Sequence, residues 1–210
     1  MEVLHLTREN VDSCAARAAE VLRAGGVVLY PTDTLYGLGA DAFSDAAVAK
    51  VYAIKGREEG KPIHAIVSDL EMAGKYGDVT NDATRLVAQL PKGLLTLIVK
   101  KKDVQSGIAK DIETFGFRIP GNDLCIELVR AFGGPVTATS ANKSEEVPER
   151  SVEKILEQLG GNAKYVDLVI DVGELPRREP SSVVDLCSPE PAVLREAAVS
   201  AQEIRSILGH

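Results

Sequence analysis

The chain lacks tryptophan, has only 4% aromatic residues, and contains three cysteines and three histidines in 210 residues. Cys14, Cys125 and Cys187 are odd in number and far apart, which is typical of reduced intracellular thiols rather than of a disulfide framework. There is no Cys-x-x-Cys pair and no cluster of histidines, so a structural zinc site is not indicated. We therefore expect a cytoplasmic protein.

Long apolar segments and common catalytic motifs are also missing. No run approaches the roughly 20 residues of a membrane helix, and the N-terminus lacks the basic and apolar regions of a secretory signal. Neither Gly-x4-Gly-Lys-Ser/Thr nor Gly-x-Gly-x-x-Gly occurs, so the two common phosphate-binding loops are not indicated. A hydrolase triad is unsupported, because Ser140 has no glycine elbow around it.

The composition is that of an acidic globular protein, with 45% hydrophobic residues, 26% charged residues and a net charge of −7. This charge argues against a chain that coats nucleic acid through its overall field. Any anion that binds here must be held by a local cluster of cations.

The length and the order of elements indicate one α/β domain over residues 1–210, with a core over about 8–196 and a short C-terminal helix over about 200–208. Apolar runs predict strands over 27–30, 64–67, 94–99, 115–119, 136–139, 168–171, 183–186 and 192–194. Helices are predicted over about 11–24, 45–54, 82–90, 124–132 and 151–159, with N-caps at Asn10, Ser44, Thr80 or Asn81, and Ser200. Because strands and helices alternate irregularly, we expect a twisted open mixed sheet with flanking helices.

The most informative segment begins as an apolar strand over Val27–Tyr30, stops at Pro31, and continues as a loop rich in hydroxyls and glycine. Residues 32–36 offer threonine and tyrosine hydroxyls and the carboxylate of an aspartate, at the end of a strand. Gly37 and Gly39 allow positive φ or a close approach of the backbone. The segment fits a ligand wall and a plain turn about equally well.

Several cations have two interpretations. Lys55, Arg57 and Lys61 lie within seven residues, and form either a solvated charged loop or a phosphate clamp. His64 begins an apolar strand and is either a core or rim histidine or a ligand contact. Arg118 lies within a strand, where an unpaired guanidinium is costly to bury, so it needs an anionic partner from the protein or from a ligand.

Six segments in one order give the chain a family resemblance. They are Pro31-Thr-Asp-Thr-Leu-Tyr-Gly-Leu-Gly39, Lys55-Gly-Arg57 followed by Lys61-Pro62, Phe117-Arg-Ile-Pro120, Ser140-Ala-Asn142, Pro180-Ser-Ser-Val-Val-Asp185 and Val193-Leu-Arg195. In these segments the chain resembles the YrdC/Sua5 family of threonylcarbamoyl-AMP synthases, in its short single-domain form. The resemblance spans nearly the whole sequence and implies an α/β fold whose sheet curves around a central cavity.

The resemblance also implies a reaction. L-threonine and bicarbonate or CO2 form a carbamate, which attacks the α-phosphate of ATP and gives threonylcarbamoyl-AMP and pyrophosphate. The product would supply the threonylcarbamoyl group of a modified adenosine in tRNA (t6A), transferred by a separate enzyme system. Because the substrates are anions that repel one another, separated cationic contacts and Mg2+ are expected.

Site residues follow by matching motifs. The threonine side is assigned to Thr32, His64, Arg118 and Ser181, with Arg118 suited to the carboxylate. The ATP side is assigned to Lys55, Arg57, Lys61, Thr114, Ser140, Asn142 and Arg195. Lys55 and Arg57 would lie along the triphosphate and carry the catalysis, while Mg2+ would arrive with ATP and has no protein ligand predicted for it. Asp33 and Asp185 are weaker candidates for metal or orientation partners.

The match has departures, and alternatives remain. Leu94 replaces a usual proline, and Asn142-Lys-Ser-Glu-Glu146 replaces a usual Ser-Gly after the Ser-Ala-Asn turn. This second change keeps open the alternative that the chain is a degenerate domain that binds nucleotide without turnover.

Another alternative is a module that binds double-stranded RNA or tRNA through Lys100–Lys102 and Lys110. Residues 142–150 are expected to be mobile, since they are polar and follow a ligand-contacting turn.

Overall fold

The computed structural model describes residues 1–58 and 60–209; Glu59, in the predicted charged loop, and His210 lie outside them. The helices are α1 (Val11–Arg23), α2 (Asp45–Lys55), α3 (Leu70–Gly74), α4 (Asn81–Gln89), α5 (Asp123–Phe132), α6 (Val152–Leu159) and α7 (Ala201–Leu208). The strands are β1 (Glu2–His5), β2 (Val28–Pro31), β3 (Tyr36–Gly39), β4 (Ala65–Ile66), β5 (Leu95–Lys100), β6 (Thr114–Arg118), β7 (Val136–Thr137), β8 (Thr139–Ser140), β9 (Leu168–Asp171), β10 (Ser182–Asp185) and β11 (Ala192–Arg195).

The strands form two mixed sheets. In the described residues, the first sheet has the order β1-β9-β2-β3-β8 and the second has the order β11-β10-β5-β6-β4-β7. Parallel pairs such as β2 with β9 lie beside antiparallel pairs such as β2 with β3. The predicted α/β class with mixed strands and flanking helices is confirmed, whereas the strands divide between two sheets instead of forming one.

The two sheets are joined where the chain leaves β7 in the second sheet and enters β8 in the first. Thr137 of β7 lies at this junction: its hydroxyl donates to the Leu38 carbonyl and accepts from the Ala40 amide, both at 2.9 Å. The buried Tyr30 hydroxyl also donates to the Thr137 carbonyl, at 3.0 Å. These bonds fix the end of β7 on the first sheet, and the pairing of β8 with β3 then holds Ser140 opposite Gly37.

Local capping explains most helix starts. The hydroxyls of Ser44, Thr80 and Ser200 each accept a hydrogen bond from the third residue that follows, so α2, α4 and α7 begin at these caps. Asn10 does not cap α1 with its side chain. Its amide instead accepts from the Thr7 backbone and donates to the His5 carbonyl, which organises the loop before the helix.

Helices α1 and α5 pack together against the first sheet. The buried face of α1 consists of Cys14, Ala15, Ala18, Ala19 and Leu22, and the small alanines allow the close approach of α5. Because α5 begins five residues after Arg118, this packing also holds the end of β6 in place. Within residues 1–58 and 60–209, no helix combines the length and apolar character that a membrane crossing requires.

Candidate active site

A cavity of about 1110 Å³ lies where residues from both sheets meet. The first sheet and its turns contribute Thr32, Thr34, Tyr36, Gly37 and Ser140. The second sheet and its flanking segments contribute His64, Thr96, Arg118, Ser181 and Arg195. Seven wall residues are lysine or arginine and two are glutamate, so the cavity is cationic in a chain whose net charge is −7. It is suited to hold anions.

Arg118, the last residue of β6, is the most informative side chain in the wall. The residue is only 9% exposed, and its guanidinium makes no hydrogen bond or ion pair with any residue in the described part of the chain. A buried, unpaired guanidinium is costly unless it meets an anion. The charge of Arg118 acts on the carboxyl group of Asp33, but no hydrogen bond or ion pair joins the two side chains among the described residues. The guanidinium is therefore open to an anion from the cavity that it lines, and a carboxylate matches its planar fork.

His64 lies just before β4 and packs over Gly116 of β6. A Cβ atom at Gly116 would approach the His64 Cδ2 atom to 2.3 Å, so glycine is needed there to make room for the ring. Burial, followed by the charges of Arg195, Arg118 and Arg57, lowers the pKa of His64 from 6.5 to about 4. The imidazole is therefore neutral at pH 7 and adds no charge to the cationic wall.

Replacing His64 with glutamine should remove part of the acid sensitivity of folding. The unfolded chain gains a proton at His64 below about pH 6.5, while the folded protein does so only near pH 4. The free energy of unfolding therefore falls as the pH is lowered through this window, by about 3 kcal/mol from this group. Denaturant unfolding at pH 7 and pH 4 measures the loss. Between pH 7 and pH 4, His64→Gln should lose less stability than wild type. The control His5→Gln, at an exposed histidine, should lose as much stability as wild type. Equal losses in the two variants would contradict the assignment.

The turn after β2 is both a turn and part of the cavity wall, so the two interpretations of the sequence are compatible. The Thr32 hydroxyl donates to the Leu35 carbonyl at 2.7 Å and accepts from the amides of Thr34 and Leu35 at 3.3 Å. Thr32 lines the cavity from this turn. Residues 36–39 form strand β3, which corrects the expectation that the loop after Pro31 continues through Gly37 and Gly39.

Lys55 lies behind the wall, at the end of α2, and is 3% exposed. Its ammonium donates to the Asn142 carbonyl at 2.9 Å, to the Asn142 Oδ1 atom at 3.0 Å, and to the Ser140 carbonyl. The Ser140 hydroxyl in turn donates to Asn142 Oδ1. Burial, and then the charge of Arg57, lowers the pKa of Lys55 to about 8. Lys55 thus holds the Ser140–Asn142 turn. Ser140 lines the cavity, whereas Lys55 and Asn142 do not.

The remaining predicted ATP-side residues fall into two groups. Arg57 and Arg195 line the cavity, and Arg195 donates to the Ser181 carbonyl from Nη2 at 2.7 Å. Lys61 and Thr114 are not among the wall residues in the described part of the chain. The Lys61 Nζ atom lies 4.0 Å from the Glu145 Oε1 atom, and neither residue lines the cavity. Thr114 begins β6, so it lies roughly 13 Å along the strand from Arg118.

On the threonine side, Ser181 completes the set with Thr32, His64 and Arg118. Its hydroxyl lies 2.8 Å from the Thr96 hydroxyl, and both residues line the cavity. The structure therefore brings all four predicted threonine-side residues into the lining of one cavity, although Thr32 and Ser181 are 149 positions apart in the sequence.

The wall also contains cations that sequence reasoning missed, namely Arg150, Lys154, Arg177 and Arg178. The adjacent pair Arg177-Arg178, close before Ser181, was a visible signal. Arg150 ties two loops together, because it pairs with Glu174 and its Nη1 atom donates to the Leu175 carbonyl at 2.9 Å. The segment expected to be mobile thus has a bonded anchor at Arg150.

Three of the four lysines of the RNA-binding alternative contact the protein outside the cavity. The side chain of Lys101 is 5% exposed and donates to the Ala109 carbonyl at 3.1 Å. Lys102 donates to the Gly74 carbonyl at 2.6 Å, and Lys110 lies 3.7 Å from Asp45. None of them is a wall residue of the described cavity.

Metal ligands are scarce in the same region. Residues 1–58 and 60–209 contain no group of three or more His, Cys, Asp or Glu side chains placed to hold an ion. The carboxylates that line the cavity are Glu149 and Glu179, among many more cations. This donor set does not fit a resident Mg2+ ion.

The fold and the cavity together define a class: an α/β protein with an arginine-rich cavity between two mixed sheets, suited to small anionic substrates. A family model of Sua5, YciO and YrdC proteins, described as "Telomere recombination", matches residues 20–197. The chain belongs to this family, which confirms the resemblance seen in its motifs.

Curated relatives and solved structures support the same family assignment. The threonylcarbamoyl-AMP synthase of Pyrococcus abyssi is 31% identical over 100% of this chain and 62% of its own length. The threonylcarbamoyl-AMP synthase of Mus musculus is 37% identical over 83% of this chain and 64% of its own length. P. abyssi Sua5 complexed with L-threonine superposes with a TM-score of 0.87 at 27% identity, over 99% of this chain and 60% of that one. E. coli YciO superposes with a TM-score of 0.81 at 29% identity, over 97% of this chain and 98% of its own. The chain thus spans about three fifths of the P. abyssi protein.

Proposed function

We propose that this chain is an L-threonylcarbamoyladenylate synthase, a nucleotidyltransferase that makes threonylcarbamoyl-AMP and pyrophosphate from L-threonine, bicarbonate or CO2, and ATP. The observation that carries the proposal is the buried guanidinium of Arg118, which faces the cavity with no hydrogen-bond or ion-pair partner among the described residues. An amino-acid carboxylate would neutralise it. The names of the relatives and the threonine complex of P. abyssi Sua5 support the same substrate.

Two bond-forming steps account for the products. The threonine ammonium group loses two protons to solvent and keeps one N–H as its nitrogen forms a bond to the carbon of CO2; alternatively, the neutral amine displaces water from bicarbonate. A carbamate oxygen then forms a bond to the α-phosphorus of ATP, and the bond from this phosphorus to the bridging oxygen of the β-phosphate breaks. Pyrophosphate leaves with its Mg2+, and no covalent enzyme intermediate is needed.

The residues of the wall would act by positioning and by charge. Arg118 would bind the threonine carboxylate, with Thr32 and Ser181 beside it. His64 is neutral, so it does not repel the threonine ammonium group. Arg57 and Arg195 would oppose the charge that builds up on the phosphates. Ser140 and Asn142, held by Lys55, would shape the nucleotide side. Lys61 and Thr114 stay predictions from the motifs.

We further infer that the product passes to a separate threonylcarbamoyl-transferring system that modifies tRNA. A cytoplasmic location fits both ATP as a substrate and the free thiols of Cys14, Cys125 and Cys187. The RNA-binding alternative loses support, because three of its four lysines contact the protein away from the cavity.

An omission experiment tests the proposal. Purified protein is incubated with ATP, Mg2+, bicarbonate and L-threonine, and pyrophosphate is measured with each component left out in turn. We expect release only when all four are present. ATP binding without pyrophosphate release would instead indicate the degenerate nucleotide-binding domain, and release without threonine would indicate another reaction.

A further inference from the structure

Asp33 follows Thr32 in the turn between β2 and β3, and its carboxyl group reaches from the first sheet to the second. Its Oδ1 atom accepts a hydrogen bond of 3.0 Å from the Gly121 amide, three residues after Arg118. Asp33 is not among the residues that line the cavity. It therefore connects the turn that carries Thr32 to the strand end that carries Arg118, without facing the ligand space itself.

Two glycines make room for this carboxyl group. A Cβ atom at Gly93 would lie 2.6 Å from the Asp33 Cγ atom, and one at Gly121 would lie 3.2 Å from Oδ1. Gly93 also has φ +85°, which favours glycine. Gly93 comes two residues before β5, the strand that carries Thr96. The carboxyl thus fits closely between segments next to two of the site strands.

The backbone of Asp33 binds a third segment. Arg178 donates from Nη1 to the Asp33 carbonyl at 3.0 Å, three residues before Ser181. The segments before β5, after β6 and before β10 therefore all meet at Asp33, and these segments adjoin Thr96, Arg118 and Ser181.

The same carboxyl group is costly to keep in this place. Its Oδ2 atom is buried and has no hydrogen-bond partner among the described residues. An unsatisfied buried oxygen destabilises the fold, so a neutral or apolar residue here would relieve a cost. Unfavourable polar groups of this kind are typical of functional sites, where geometry matters more than stability.

We propose that Asp33 is a positioning residue that fixes the distance between Thr32 and the Arg118–Ser181 side of the cavity. Its carboxyl and carbonyl oxygens hold the turn against the three strand ends, so that one amino acid can contact both sides. The inference rests on the proposed function, because it takes L-threonine as the ligand whose binding depends on this spacing.

The test measures L-threonine binding by calorimetry and the KM values for threonine and ATP, in wild type, Asp33→Ala and Asp33→Asn. We expect Asp33→Ala to weaken threonine binding and raise its KM roughly tenfold, with the KM for ATP changed less than about twofold. Asp33→Asn keeps the acceptor for Gly121, so it should recover most of the affinity. Arg178→Ala should shift the threonine KM in the same direction by a smaller factor.

Asp41→Ala is the matched control, since Asp41 also accepts one backbone hydrogen bond nearby, from Phe43 at 2.9 Å, and lies outside the cavity wall. It should leave both KM values unchanged. If wild type binds threonine and both Asp33 variants bind it equally well, or if the two KM values rise together, the positioning role is wrong. If wild type binds no threonine, the proposed function fails and this inference fails with it. Threonine binding without turnover would overturn the proposed reaction alone.

Discussion

Replacing Arg118 with alanine should raise the KM for threonine about thirtyfold or more, while the folded protein keeps nearly the stability of wild type. The guanidinium makes no hydrogen bond or ion pair among the described residues, and its charge only partly offsets the burial that raises the pKa of Asp33, so the fold gains little from it until an anion binds. Removing one partner of a buried charge pair costs about 2–5 kcal/mol in binding, which is a factor of roughly 30 or more. Steady-state kinetics and thermal unfolding of the same preparation measure both effects.

Two further variants separate charge from shape. Arg118→Lys keeps a positive charge but loses the planar fork, so its threonine KM should lie between those of wild type and Arg118→Ala. Arg205→Ala removes an exposed arginine of α7 and should change nothing. A strongly destabilised Arg118→Ala protein, or one with unchanged threonine KM, would show that Arg118 serves the fold and not the substrate.

Replacing Lys55 with methionine should both destabilise the protein and abolish pyrophosphate formation. Three acceptors on Ser140 and Asn142 lose their donor in a buried place, which costs about 3 kcal/mol after allowing for relief of the buried charge. For a chain of this size, the melting temperature should fall by roughly 6–12 °C. The Ser140–Asn142 turn would lose its anchor, so ATP-dependent turnover should fall with it. Calorimetry and the pyrophosphate assay measure the two effects.

The pH dependence of stability identifies Lys55 independently. Its pKa is about 8 in the folded protein and near 10.5 when unfolded, so the unfolded chain binds more protons between these values. The contribution of Lys55 to the free energy of unfolding therefore rises as the pH increases from about 8 to 10.5. Lys55→Met should lack this rise, and Lys50→Met, at an exposed lysine of the same helix, should keep it. The assignment is wrong if both variants behave alike.

The local parts of the fold could be predicted from sequence, and the pairing of strands could not. Caps such as Ser44 and Thr80 act within four residues, so their pattern is visible in the chain. The strand Tyr36–Gly39 was missed because two of its four residues are glycine, which usually weakens a strand. Here glycine is needed because a Cβ at Gly39 would approach Tyr30 Cε1 to 2.8 Å. Only the folded structure shows that contact.

For the site as well, the sequence predicts some features and only the folded structure shows the others. Family motifs identified Thr32, His64, Arg118 and Ser181, and the structure places them around one cavity. The contacts of Asp33 with Gly121 and Arg178 span 88 and 145 residues, so no local pattern could have shown them. The position of Lys55 behind the wall also depends on the way α2 packs against the turn at Asn142. The sequence identifies residue types well, whereas their division into contacting and positioning roles requires the fold.

The central claim is that one cavity joins threonine, a bicarbonate carbon and the adenylate of ATP. Radiolabelled bicarbonate in the complete reaction, followed by chromatography of the adenylate product, tests it most directly. The account predicts that the label co-elutes with a product containing both threonine and AMP, and that Arg118→Ala yields almost none of it. An adenylate that contains threonine without the label, or no adenylate at all, would contradict the account.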